Sequence, residues 1–157
     1  MSNQYDQTLR DVAHRAMETL AFLIEMPDDE PCQQPSVSAM IRFTGPFNGV
    51  MFIKASPEIL QVAAVNMLGM MDDEEISSQF CQDAFKELLN VICGNFLPEY
   101  AGNELVFDVA PAEMLDCADL PAEFESLELI ANAKLTLDAG KVELVFFAAS
   151  KELANAG

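Results

Sequence analysis

From Ser77 to Ile92 the apolar residues Phe80, Ala84, Leu88 and Val91 fall at near-helical steps, and Phe85, Leu89 and Ile92 widen the stripe. A helix with so broad an apolar face is stable only when most of its circumference is covered. The rest of the chain must therefore supply a layer to cover it, which fixes the kind of fold to look for. Ser77 or Ser78 is placed to cap this helix. Gly94 and Pro98 predict a bend, a close packing contact or an end in its later part.

The covering layers can be read on both sides. Leu9, Val12, Ala13, Ala16, Leu20, Leu23 and Ile24 recur at three- and four-residue steps, which predicts an amphipathic helix over Gln4 to Met26, closed by Pro27. Pro27 to Pro35 has no periodicity and reads as an exposed loop. Val37, Ala39, Ile41 and Phe43 then alternate with more polar neighbours, and Val50 to Ala55 follows a turn at Gly45 to Gly49, so Ser36 to Ala55 reads as a hairpin. Ser56 is placed to cap a second helix, with Pro57 and Glu58 in its first turn and Gly69 after its end near Leu68. The acidic run Asp72 to Glu75 leads into the third helix.

Beyond that helix the pattern is sheet. Leu105 to Val109 reads as a short strand, Leu127 to Leu137 and Lys141 to Ala149 as longer ones joined by a turn at Asp138 to Gly140, and Ala110 to Glu125 as loop. The order α-β-β-α-α-β-β-β predicts an α+β fold with helices packed on a largely antiparallel sheet. With 157 residues, 51% of them apolar, residues 1–157 read as one domain.

Charge and residue usage narrow the chemistry. Twenty-six acidic residues against 8 basic ones give a net charge of −18, which repels nucleic-acid backbones and anionic membrane surfaces over a Debye length of about 8 Å. Neither a secretory signal nor a bilayer-spanning stretch is visible, so a cytoplasmic location is expected. Cys32, Cys81, Cys93 and Cys117 lack the spacing of a redox pair or zinc site and read as free, mostly buried thiols; no metal or cofactor site is expected in this chain. His14, the only histidine, has Asp11 and Arg15 as neighbours and reads as part of a polar helix face, leaving little room for His-dependent nucleophilic catalysis.

One polar constellation stands out on the third helix. Asp83, Glu87 and Asn90 sit at i, i+4 and i+7, on one face and opposite much of the apolar stripe. Solvated surface is the ordinary reading of such a face. Two features favour a function: Asn90 is a poor helix former, and Gly94-Asn95 weakens the helix again, where residues that break a local rule hint at a purpose beyond folding.

The stretch Asp83-Ala-Phe-Lys-Glu87-Leu-Leu-Asn90-Val-Ile-Cys-Gly94-Asn95 resembles the signature helix of the CheC, CheX and FliY chemotaxis phosphatases, with Pro111 near the place of the family's later proline. Phe43-Thr-Gly45, Gly49 to Lys54, Ser56-Pro-Glu and Met67-Leu-Gly-Met70 are similar to the elements preceding that helix in CheX-like proteins, and the resemblance extends over roughly 16–149. On the first helix, Glu18-Thr-Leu-Ala21 has alanine where the second CheC signature needs asparagine, which implies the single site of the CheX pattern.

The resemblance implies a CheC-like fold and a response-regulator phosphatase. Its substrate would be the aspartyl phosphate of a CheY-like receiver domain that brings its own Mg²⁺ and lysine. Asn90 would hold the attacking water in line, Glu87 would pair with the receiver's lysine and orient the docked helix, and Asp83 would bind the partner at the rim. Asn95 is expected to be buried, satisfying backbone groups near Gly94. One alternative is a module that docks a receiver or another signalling protein without hydrolysis; another is a ligand-binding domain whose nine methionines line a pocket. Edge strands of the C-terminal sheet could join two chains as in dimeric CheX.

Overall fold

The period-two segments pair into one antiparallel sheet. The computed structural model describes residues 4–27, 34–69, 77–115 and 124–149. In it β1 (Val37–Thr44) and β2 (Gly49–Ala55) form the expected hairpin, in register from Val37 opposite Ala55 to Phe43 opposite Gly49. Near the C-terminus β5 (Glu128–Leu137) and β6 (Gly140–Ala148) form another, turning at Asp138 and Ala139. Two short strands, β3 (Asp108–Val109) and β4 (Glu113–Leu115), both pair with β1, giving the order β3-β1-β2-β6-β5 with β4 also on the β1 edge.

Alternation then decides what each strand buries. Ala39, Ile41 and Phe43 of β1, Met51 and Ile53 of β2, and Val142, Leu144 and Phe146 of β6 point into the main core, which three helices close from one side. These are α1 (Gln4–Ala21), α2 (Pro57–Leu68) and α3 (Ser78–Ala101). The result is the α+β class expected: among the described residues, three helices lie on one face of a six-stranded antiparallel open sheet. The other face carries a smaller cluster of Met40, Val50 and Phe124. Among the described residues no helix is long and apolar enough to cross a membrane.

Gly49 is required by this packing. A Cβ there would lie 2.3 Å from the Phe43 ring and 2.5 Å from the Phe147 carbonyl oxygen, and the carbonyl belongs to the adjacent strand and cannot swing aside.

Four local expectations are corrected. α1 stops at Ala21 instead of Met26: Phe22 turns into the left-handed region at φ 54°, and the following residues exchange backbone hydrogen bonds with the end of β5. Ile24, expected on the buried stripe, is therefore exposed while Leu23 remains buried. Ser56 occupies the N-cap position of α2, but its hydroxyl accepts the Lys141 N–H at 2.9 Å instead of capping the helix, which ties α2 to the start of β6. The strand read at Leu105 to Val109 shrinks to two residues, because Phe107 turns inward to pack edge-on against Phe43 and Phe47. The loop read at Ala110 to Glu125 contains β4, which continues the cover of the β1 edge beyond β3.

Of the bend, close packing contact or end expected on α3 between Gly94 and Pro98, the helix does not end there but runs on to Ala101, and the segment is closely packed. Phe96, Leu97 and Tyr100 on either side of Pro98 are buried, and Phe96 and Tyr100 both pack on Phe146 of β6. Core packing holds the last turns where propensity alone would not. The predicted acidic run at 72–75, most of the loop at 27–35, Cys32 and Cys117 lie outside the described residues.

Candidate functional site

α3 is anchored at both ends and buried along its inner side. The Ser77 hydroxyl accepts the Phe80 N–H at 3.2 Å, which caps the helix as expected from one of the two serines. Ala84, Phe85, Leu88, Leu89, Ile92 and Cys93 are all fully buried against the sheet and the other two helices. Twenty-four helical residues make a rod about 36 Å long. Whatever its outer face carries is held on a rigid support.

That outer face carries Asp83, Glu87 and Asn90, all exposed. Glu87 and Asn90 are one turn apart, with side chains rooted about 5–6 Å from each other. Asp83 lies two turns from Asn90, about 10 Å along the axis, so it does not share a contact point with the carboxamide. One Asp83 oxygen accepts a hydrogen bond from Gln79 Nε2 at 2.8 Å, which keeps that carboxylate along its own helix. Glu87 and Asn90 have no side-chain hydrogen bond or ion pair with any described residue. The pair is an acceptor-only carboxylate beside a group that both donates and accepts, on a surface open to a partner.

His14 lies on α1, 3.0 Å from Glu18 and 3.5 Å from Glu25, and Glu25 is in turn paired with Arg10. Its partners are thus glutamates one turn on and beyond the helix end. Ala21, where a second signature would need asparagine, is fully buried, so α1 offers no carboxamide beside Glu18. Burial pushes the Cys93 thiol up to about 12 and raises Cys81 as well, so neither is poised as a thiolate. Tyr100 is pushed up to about 12, first by burial and then by the neighbouring Tyr5 and Glu128.

A model of the chemotaxis phosphatase family CheX matches residues 37–139, well over half of the sequence and all of α3. The chain belongs to the CheX family. No curated protein matches it. Among solved structures, a CheX from Desulfovibrio desulfuricans is similar at 18% identity and TM-score 0.68, over 93% of this chain and 99% of that one. A CheC-like superfamily protein from a Shewanella species is similar at 16% identity and TM-score 0.66, over 96% and 100%. A Borrelia burgdorferi CheX in complex with CheY, BeF₃ and Mg²⁺ is similar at 17% identity and TM-score 0.63, over 94% and 99%. At these identities the likeness is one of fold, and it covers the CheX-family chain almost end to end.

Two placements on α3 differ from the sequence reading. Asn95 is exposed, not buried, and lines the groove between α1 and α3 with Arg15 and Thr19. Phe80, read as part of the buried stripe, is 46% exposed and shares the outer face with Asp83 and Glu87. Its position three residues before Asp83 and seven before Glu87 is the signal that assigns it there.

Proposed function

We propose that this CheX-family chain hydrolyses the aspartyl phosphate of a CheY-like receiver domain, with Asn90 positioning the water and Glu87 orienting the docked partner. The observation that carries the proposal is the exposed Glu87 and Asn90 pair, one turn apart on a rigid helix inside the family-matched span, with both polar groups left for a partner. The Borrelia CheX seen with CheY supports the choice of partner.

The division of labour follows from the groups. The receiver's own aspartate carries the phosphoryl group and its Mg²⁺ and lysine neutralise the charge, so the phosphatase need supply neither nucleophile nor cofactor. The Asn90 carboxamide accepts a hydrogen bond from a water and donates to the phosphoryl oxygens, which holds the water in line with the breaking phosphorus–oxygen bond. Glu87 pairs with the receiver's lysine; direct attack by a carboxylate on a phosphoryl group is disfavoured by repulsion. Asp83, with one oxygen held by Gln79, acts at the rim of the docking surface. Positioning one water and making one orienting contact is enough for about a hundredfold acceleration, which requires about 2.7 kcal/mol.

In this reading the chain works in the cytoplasm on a protein substrate, without nucleic acid or membrane. Its net charge of −18 makes encounter with an acidic receiver unfavourable at long range, so raising salt strengthens docking. A homodimer through an edge strand is a separate proposal, for which β5 supplies an edge. The activity is tested by following acyl-phosphate loss from a Mg²⁺-loaded receiver phosphorylated with a small-molecule donor, with and without the chain, across a salt series. Acceleration that grows with salt is expected; measurable binding without acceleration would instead assign the chain as a docking module.

A further inference from the structure

Gly94 lies in the outer half of α3, one turn beyond Asn90 and on the same face. Glycine weakens a helix interior relative to alanine, and among the described residues nothing requires it here: a Cβ at Gly94 would meet no atom of theirs within 4 Å. The missing side chain leaves the surface beside Asn90 low.

Past Gly94 the same face runs into a groove of about 300 Å³ between α3 and the segment leading to β3, lined by Leu97, Pro98, Leu105, Val106 and Val109 among others. Among the described residues no charged side chain lines it, in a chain of net charge −18. Val106 is 81% exposed. Its exposure is built in. A Cβ on Gly45 would lie 2.9 Å from the Val106 carbonyl oxygen and from the Phe107 ring, so glycine there lets the segment lie flat on the β1–β2 turn. Phe107 pins it from below, with ring centroids 5.5 Å from Phe43 and 5.0 Å from Phe47. The outer surface of α3 thus runs from an exposed Phe80 through Asp83, Glu87 and Asn90 to a mostly apolar groove that also holds Asn103.

We propose that this groove seats an apolar part of the receiver domain whose phosphate meets Asn90, and that Gly94 provides the clearance for the receiver's backbone to come close. The groove is continuous with the Glu87–Asn90 face, which is the argument for one occupant bridging both. The proposal rests on the phosphatase reading for the identity of that occupant. It makes Val106 and Gly94 determinants of which receivers are served, while Glu87 and Asn90 act on any receiver once docked.

The test uses the full chain with Gly94→Leu and Val106→Asp, and reads both binding to a Mg²⁺-loaded, beryllofluoride-activated CheY-type receiver and turnover of the phosphorylated one. Each variant is expected to raise Kd and KM about tenfold with kcat held within about twofold. Gly94→Ala serves as the folding control and raises the thermal midpoint by about 2–4 °C, because the helix gains where the core loses nothing. Unchanged Kd and KM in both variants, with wild type binding and turning over the receiver, would overturn the groove while leaving the phosphatase reading intact. A shift in oligomeric state in place of receiver binding would assign the groove to a second copy. If wild type binds but does not hydrolyse, the phosphatase reading fails and the Kd comparison alone decides the groove; if wild type binds no receiver, both fall.

Discussion

Phe146→Ala removes the side chain on which the second half of α3 rests. Phe146 is fully buried on β6, stacked on Phe43 at 5.5 Å between ring centroids, with Phe96 at 4.8 Å and Tyr100 at 5.4 Å. Truncating a buried phenylalanine costs about 3–5 kcal/mol. Each aromatic pair adds about 0.5–1.5 kcal/mol beyond area, and three are lost together, which puts this site at the upper end. The neighbours cannot collapse into the space, since Phe96 and Tyr100 are fixed by the helix on either side of Pro98 and Phe43 by its strand. Against a total of about 5–15 kcal/mol for a domain, a loss near 5 kcal/mol lowers the thermal midpoint by roughly 10–20 °C. Urea unfolding followed by far-UV circular dichroism gives the value directly. A loss below about 1.5 kcal/mol with an unchanged denaturant slope would refute the packing account of how α3 survives its proline.

Other consequences are separable from that one. Glu87→Gln should leave stability within about 0.5 kcal/mol, because the carboxylate is exposed and unpaired among the described residues, yet weaken receiver binding several-fold; equal binding by titration would remove the lysine-pairing role. Stability should fall as pH rises above 9, by about 1.4 kcal/mol per pH unit from Cys93 alone until its folded value near 12. The sign follows from proton binding: between 9.0 and about 12 the folded thiol keeps a proton that the unfolded chain has released, so the unfolded state is favoured. Denaturant midpoints of wild type and Cys93→Ala across that range measure it, and parallel curves for the two would contradict the assignment.

Much of this was legible in the sequence because the apolar residues of α3 and the alternation in β1, β2 and β6 answer mainly to burial. The exposure of Glu87 and Asn90 was legible for the complementary reason, since both fall opposite the apolar stripe, whereas a role for them came only from the resemblance to the signature helix. What stayed hidden depended on partners distant in sequence. The end of α1 at Ala21 is set by hydrogen bonds from 24–26 to β5, and the Ser56 hydroxyl is claimed by Lys141. β4 exists because β1 has an edge to cover, and its three residues carry no pattern of their own. Phe80 stayed hidden because apolar identity alone does not say which face a residue shares, and Asn95 because its polarity suits an exposed position as well as a bond to the backbone near Gly94. Val106 gives no local sign of its exposure, which is imposed by Phe107 turning inward beside it.

Hydrolysis turns on one carboxamide, and the decisive comparison is wild type against Asn90→Ala, measured as single-turnover loss of acyl-phosphate at saturating chain alongside the Kd for the beryllofluoride-activated receiver. Asn90 is exposed and makes no contact the fold depends on, so the thermal midpoint should hold. The account predicts a fall in the single-turnover rate of about a hundredfold, equivalent to about 2.7 kcal/mol, with Kd changed by less than about threefold. A variant that binds normally and hydrolyses at the wild-type rate would contradict it.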